Sequence, residues 1–246
     1  KYMGGRNSLG CILRKFMKTS DDIYWQRWQK LLEAAANFQE LLTGSVMIGG
    51  SAAAVHLKHR YSFDADHILS DLKENYEEVL DFLEGRDDWE TARINPPKLI
   101  LGNFQGVETG VRQLRRNRPL ETEQIHITGK SLTTPTLPEM IRTKGWMIVS
   151  RNATRDYIDF AALAKHIGLE NTVEVLNGFD DFYSDLIRGS QASPIVQLIR
   201  QLAEPKPGDL EQVDLSEYKG IQPPFDSWDY IVTICEEISV QLGDRL

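Results

Sequence analysis

Cysteine is nearly absent: Cys11 and Cys235 are the only two in 246 residues. Thiols so few and so far apart make neither a metal-ligand spacing nor a disulfide framework, which excludes a crosslinked secreted scaffold and sets the expectation of a reducing, cytoplasmic setting. Long apolar runs are missing too. No stretch approaches the roughly 20 residues that span a bilayer, and the first residues lack the basic-then-apolar order of a signal peptide, so no membrane contact is expected. Positive charge is in short supply, with 28 Lys and Arg against 36 Asp and Glu and a formal net charge of −8. That balance argues against binding nucleic acid through bulk electrostatics and leaves only a local basic patch for the purpose. The five histidines form no recognisable ligand pair.

What is present is ordinary globular material, 41% hydrophobic and 26% charged, enough for one or two domains with a substantial core. After a basic N-terminal extension containing Arg14, Lys15 and Lys18, Ser20 or Asp21 can cap a helix whose apolar residues recur every three or four positions from Ile23 to Leu42. A short buried strand follows over residues 46–48. Gly49 and Gly50 then permit a turn that a Cβ would obstruct, and Ser51 can cap a helix built on Ala52, Ala53 and Ala54. Free N–H groups at such a helix start favour an anion, most usefully a triphosphate.

Residues 62–69 read as a second strand, and its period of two puts Ser62, Asp64 and Asp66 on one face and Phe63, Ala65 and His67 on the other. Two carboxylates side by side are unfavourable unless a cation or a proton lies between them, and Mg²⁺ prefers carboxylate oxygens together with substrate phosphates. The alternative is a solvated strand end; the glycine turn just upstream favours the metal site. Further strands are expected around Pro96-Pro97, over residues 107–114 and over residues 123–127. Arg112, Arg115, Arg116 and Arg118 form the densest basic cluster and are the expected RNA or nucleotide contact, the alternative being a charged hairpin paired with acidic neighbours. Residues 133–138, Thr-Thr-Pro-Thr-Leu-Pro, read as a linker between a sheet-rich part (1–134) and a helical part (135–246). In the second part Lys144 lies on a mainly apolar helix, either snorkelling to the surface or neutralising phosphate charge. Asp156 and Asp159 share the face of the next helix, which Thr154 can cap.

With those residues laid out, the chain resembles the nucleotidyltransferase AbiEii family, toxins of abortive-infection toxin–antitoxin systems related to the MenT tRNA-modifying toxins. Four elements in order carry the resemblance: Ile48-Gly49-Gly50-Ser51, Arg60-Tyr61-Ser62-Phe63-Asp64-Ala65-Asp66, Glu139-Met140-Ile141-Arg142-Thr143-Lys144, and Arg151 followed by Arg155-Asp156-Tyr157-Ile158-Asp159. It implies an α+β fold, a polymerase-β-like nucleotidyltransferase core with a mixed sheet followed by a C-terminal helical bundle. It also implies that Ser62 and Asp64 form the signature pair, that Asp64 and Asp66 hold Mg²⁺, and that Gly49, Gly50, Ser51 and Lys144 contact the phosphates of an NTP. Asp156 would be the last catalytic aspartate, with Asp159 as the other choice. His67 departs from the pattern by placing a polar side chain where an aliphatic one is usual. The reaction so implied is transfer of a nucleoside monophosphate to an acceptor hydroxyl, on RNA or a tRNA 3′ end, with an antitoxin as protein partner. An aminoglycoside-like small molecule or a protein as acceptor, and a catalytically idle binding protein on the same fold, are the competing readings.

Overall fold

A computed structural model of the chain describes residues 22–127, 129–187 and 192–245. The N-terminal basic cluster, the expected caps Ser20 and Asp21, and Cys11 lie outside the described residues. Helix α1 (Asp22–Leu41) buries Trp28, Leu31, Leu32, Ala35 and Phe38, the three- and four-residue spacing that turns one stripe of a helix towards a core. It lies on the sheet that follows. Strand β1 (Val46–Met47) leads into helix α2 (Gly49–Leu57) and strand β2 (Asp64–Leu69), which pairs antiparallel with β1. Helix α3 (Tyr76–Glu84) crosses over to β3 (Trp89–Asn95), β4 (Leu99–Phe104) and β5 (Val107–Gln113).

The five strands take the order β1-β2-β5-β4-β3. β2 and β5 run parallel while the other neighbours run antiparallel, so the sheet is mixed. Pro96 and Pro97 fall in the β3–β4 turn, where no ladder N–H is needed. The β4–β5 turn is made by Gln105 and Gly106, both at positive φ, whereas Gly102 stays inside β4 because the Trp89 ring covers the place of its side chain.

Residues 133–138 are a correction to the sequence reading. Instead of a linker, Thr133, Thr134 and Pro135 close β7 (Lys130–Pro135), which pairs with β6 (Thr122–Ile127) in a separate two-stranded sheet. Thr136 then caps α4 (Leu137–Arg151): its Oγ1 accepts from the Glu139 N–H, and Pro138 sits in the first turn, where helix N–H groups have no partner in any case. The chain continues as α5 (Thr154–Ile167), α6 (Leu169–Asn177), α7 (Phe179–Tyr183), α8 (Pro194–Ala203) and α9 (Trp228–Gly243). The whole is α+β, a mixed sheet followed by a helical C-terminal region. α2 rests on both β2 and α5, and a single apolar cluster runs from Trp28 to Leu242. Among the described residues no helix is long and apolar enough to cross a membrane.

Candidate active site

The site is organised by two hydrogen bonds that tie the start of α2 to the backbone of β2. The Ile48 N–H donates to the Asp66 carbonyl at 2.8 Å, and the Ser51 Oγ donates to the Asp64 carbonyl at 2.5 Å. The start of α2 is thereby fixed against the backbone of both strand carboxylates. Gly49 takes φ +80°, a conformation with a steric penalty for any residue bearing a Cβ, and nothing lies where its side chain would be. Ser51 is not the cap: Ile48 holds that position without a side-chain hydrogen bond, and the Ser51 hydroxyl is fully buried and committed to β2. The first turn of α2 consequently has neither a side-chain cap nor an acidic residue. Gly50 serves a different end. A Cβ there would meet the Arg60 guanidinium and the Ser62 Oγ, so its absence makes room for Arg60.

On β2, Asp64 is exposed, Asp66 half-buried, and Ala65 and His67 fully buried, the alternation expected of one wet and one packed face. The strand begins at Asp64, two residues later than expected, and the Ser62 hydroxyl just ahead of it donates to Asp64 Oδ1 at 2.6 Å. Asp66 faces Arg112 across the parallel pair at 3.3 Å. Burial raises the Asp66 carboxyl above its ordinary value, Arg112 opposes the rise and the Asp64 charge adds to it. Glu108, which the sequence reading missed, is the register partner of Asp64 on β5 and is exposed. Its signal was an acid between Val107 and Thr109 on a predicted strand. Among the described residues no three side chains are already gathered as a metal cage. Two carboxylates on one strand face still suit Mg²⁺, which keeps several waters and takes its other oxygens from phosphates.

Lys144 and Asp156 do not stand free. Lys144, buried on α4, reaches Asp159 Oδ2 at 2.6 Å and Asp156 Oδ1 at 3.2 Å. Asp156 also accepts from Arg151 Nε at 2.6 Å and Nη2 at 2.8 Å. Asp159 is the deeper hub: besides Lys144 it accepts from Arg60 Nε at 2.7 Å, Arg60 Nη2 at 2.9 Å and His59 Nε2 at 2.7 Å. Burial alone would raise the Asp159 carboxyl, but the charges of Arg60 and Lys144 and the His59 hydrogen bond hold it well below the usual carboxylate range. Burial lowers His59, so it is neutral and, facing an ionised carboxylate, carries its proton on Nε2. Lys144 and Gly49 nonetheless line one recess between α2 and α4, and Asp66 acts on Arg151 electrostatically. The two halves of the predicted set therefore adjoin, with the aspartates of α5 tied to cations instead of open to a metal. His59, Arg60 and Arg151 are the partners that sequence reasoning left out.

The arginine cluster is corrected in part. Arg116 is buried, paired with Glu139 at 2.8 Å and donating to the Tyr183 hydroxyl at 3.1 Å, so it cannot touch an RNA. Arg112 faces Asp66, Arg118 stacks 3.9 Å above Phe182, and Arg115 is exposed. His67 is buried beside Phe38, which explains how a polar ring fits an aliphatic position: burial pushes it down to about 4 and keeps it neutral.

No family model matches the chain. Over 97 residues it is 42% identical to the probable transport protein MmpL11 of Mycobacterium bovis and to the heme uptake protein MmpL11 of Mycobacterium tuberculosis, a match covering 39% of this chain and 10% of theirs. Over 136 residues it is 29% identical to the mycolic acid-containing lipids exporter MmpL11 of Mycolicibacterium smegmatis, covering 55% of this chain and 14% of that protein. The chain thus spans about a tenth of the length of the first of these relatives. Among solved structures, an antigenic nucleotidyltransferase-like protein from Paracoccidioides brasiliensis superposes with a TM-score of 0.44 at 15% identity, over 57% of this chain and 77% of that one. The antibiotic-resistance factor ANT(2'')-Ia does so with a TM-score of 0.44 at 15% identity, over 69% and 96%. Superposition at this level carries no functional argument, which rests on the geometry above.

Proposed function

We propose that the chain is a metal-dependent nucleotidyltransferase that moves a nucleoside monophosphate from an NTP to an acceptor hydroxyl and releases pyrophosphate. One observation carries the reading: the uncapped start of α2 is hydrogen-bonded to the backbone of Asp64 and Asp66, which fixes an anion-favouring helix end beside a same-face carboxylate pair. Mg²⁺ held by Asp64 and Asp66 would neutralise charge on the phosphates. Ser62 holds the Asp64 carboxylate in one orientation, and Gly49 lets the α2 backbone approach a phosphate. Lys144 supplies positive charge beneath the turn while Asp156 and Asp159 fix its position. Asp156 is in this reading a positioning residue and not a metal ligand.

The finer reading keeps RNA, including a tRNA 3′ end, as the acceptor, and a toxin paired with an antitoxin as the setting. Incubation with Mg²⁺ and labelled NTPs, with either total RNA or aminoglycosides added, separates the acceptors. Label in RNA supports the reading, label in aminoglycoside replaces the acceptor, and turnover retained by Asp64→Ala overturns the site. The internal pairing of Lys144 and Asp156 favours a second reading, a binding protein that no longer transfers; NTP binding without turnover on any acceptor would select it.

A further inference from the structure

Beside Asp64 lies a cleft of about 300 Å³ between α1 and the β4–β5 turn, lined by Arg27, Lys30, Phe63, Asn103 and Glu108 among others. We propose that this cleft binds a single-stranded nucleic acid, with bases against the aromatic side chains and phosphates on the cations. The proposal rests on the nucleotidyl-transfer reading only in naming this strand as the acceptor.

The placement follows from the sequence. Arg27 and Lys30 are three apart on α1 and so share a face. Arg27 lies 4.3 Å over the Phe63 ring and Lys219 lies 5.5 Å from it, while Tyr61 stacks on Phe63 at 15° with centroids 5.9 Å apart and Tyr24 sits 5.9 Å away. Lys30 bends over Gly106, where a Cβ would crowd its ammonium. Arg27, Lys30 and Lys219 are exposed, and among the described residues none of them is in an ion pair, in contrast to Arg60, Arg112, Arg116, Arg142, Lys144 and Arg151. In a chain of net charge −8, three cations that form no ion pair among the described residues gather around this aromatic cluster. Cations that track a backbone and rings that stack bases are the two components of sequence-tolerant single-strand binding. Glu108 joins the cleft to the carboxylate pair, since it lines the one and is the register partner of Asp64 in the other. A strand end lying over Phe63 would bring its terminal hydroxyl towards Asp64. A cationic aminoglycoside would meet Arg27, Lys30 and Lys219 as like charges.

The experiment measures binding of a labelled 12-nucleotide single-stranded RNA to the chain across a salt series, with Mg²⁺–ATP binding measured in parallel. For Arg27→Ala combined with Lys30→Ala we expect at least a ten-fold loss of RNA affinity. The slope of log K against log salt should become shallower by about 1.4, since each phosphate contact contributes about 0.7 for single strands. Phe63→Leu keeps the apolar volume but removes the stacking face, and should lose roughly ten-fold. Mg²⁺–ATP binding and the melting temperature should be unchanged in the double variant. Wild-type protein that does not bind the RNA at low salt, or a double variant with unaltered affinity and slope, would overturn the proposal. The two readings fail separately: RNA binding lost in the double variant but no transfer by wild type sinks the reaction and spares the cleft. Transfer to RNA with an unchanged KM in the double variant sinks the cleft and spares the reaction.

Discussion

Among the described residues, replacing Asp159 with Asn removes the one carboxylate in an ion pair with Arg60 and one of the two paired with Lys144, and it does so where water cannot take over. Whichever carboxylate oxygen the amide nitrogen replaces, it would point a donor at two groups that are themselves donors: Arg60 Nε and His59 Nε2 at the Oδ1 position, or Arg60 Nη2 and Lys144 Nζ at the Oδ2 position. Breaking a buried pair by removing one partner is destabilising by about 3–5 kcal/mol. At roughly 2–4 °C per kcal/mol for a chain of this size, the melting temperature should fall by about 6–20 °C. Thermal and urea unfolding followed by circular dichroism measure it. Asp64→Asn is the control, because Asp64 is exposed and adds like charge beside Asp66, so its change should stay within about 0.5 kcal/mol. An Asp159→Asn protein unfolding within about 1 kcal/mol of wild type would refute the account of Asp159 as the structural anchor that holds Lys144 and Arg60.

Stability should also fall on acidification below pH 6.5, because His67 is held near 4 in the fold against an ordinary 6.5. The unfolded chain binds the extra proton, so the contribution is complete above pH 6.5 and lost as pH falls towards 4. That difference is worth about 3 kcal/mol, and a His67→Phe variant should show a flatter unfolding profile from pH 7 to 4.5. Asp159 has the opposite chemistry but the same sense. Its lowered carboxyl stabilises the fold above its ordinary value of 3.8 and loses that contribution only below it, so acid unfolding of Asp159→Asn should be less steep there. Gly50→Ala should destabilise by about 1–3 kcal/mol as the new Cβ forces Arg60 off Asp159, and urea midpoints of Gly50→Ala and Arg60→Ala would then fail to add. Arg116→Ala should lower the melting temperature, through the loss of its pair with buried Glu139, without changing RNA affinity, whereas Arg115→Ala should change neither measurably.

What was legible in the sequence is what depends on local order. The alternation of Asp64, Ala65, Asp66 and His67 fixes which side chains share a face, and Gly49 at positive φ follows from the need for a turn between a strand and a helix. The helical periods of α1, α4, α5 and α9 were readable for the same reason. Hydrogen-bond allegiance was not. Ser51 looks like a cap in sequence, yet its hydroxyl is drawn to the Asp64 carbonyl, a partner that exists only once β2 lies beside α2. Asp156 and Asp159 share a helix face by spacing, but nothing local reveals that Lys144 comes from the preceding helix, or that Arg60 and His59 arrive from 99 and 100 residues away, to saturate Asp159. Charge density misled in a similar way. Arg116 sits in the densest basic run and is buried against Glu139, while Arg27, Lys30 and Lys219, scattered along the chain, meet around Phe63.

In the proposed reaction Asp64 and Asp66 together hold the divalent ion that serves an NTP bound at the start of α2. Pyrophosphate release from NTPs, with RNA present and Mg²⁺ varied, tests it most directly in wild type, Asp64→Asn and Asp66→Asn at equal folded fraction. Mg²⁺-dependent release by wild type is expected, with at least a hundred-fold loss in both variants, of order 3 kcal/mol of transition-state stabilisation, and with melting temperatures preserved. Release that persists in either variant, or that proceeds in wild type without a divalent ion, would contradict it.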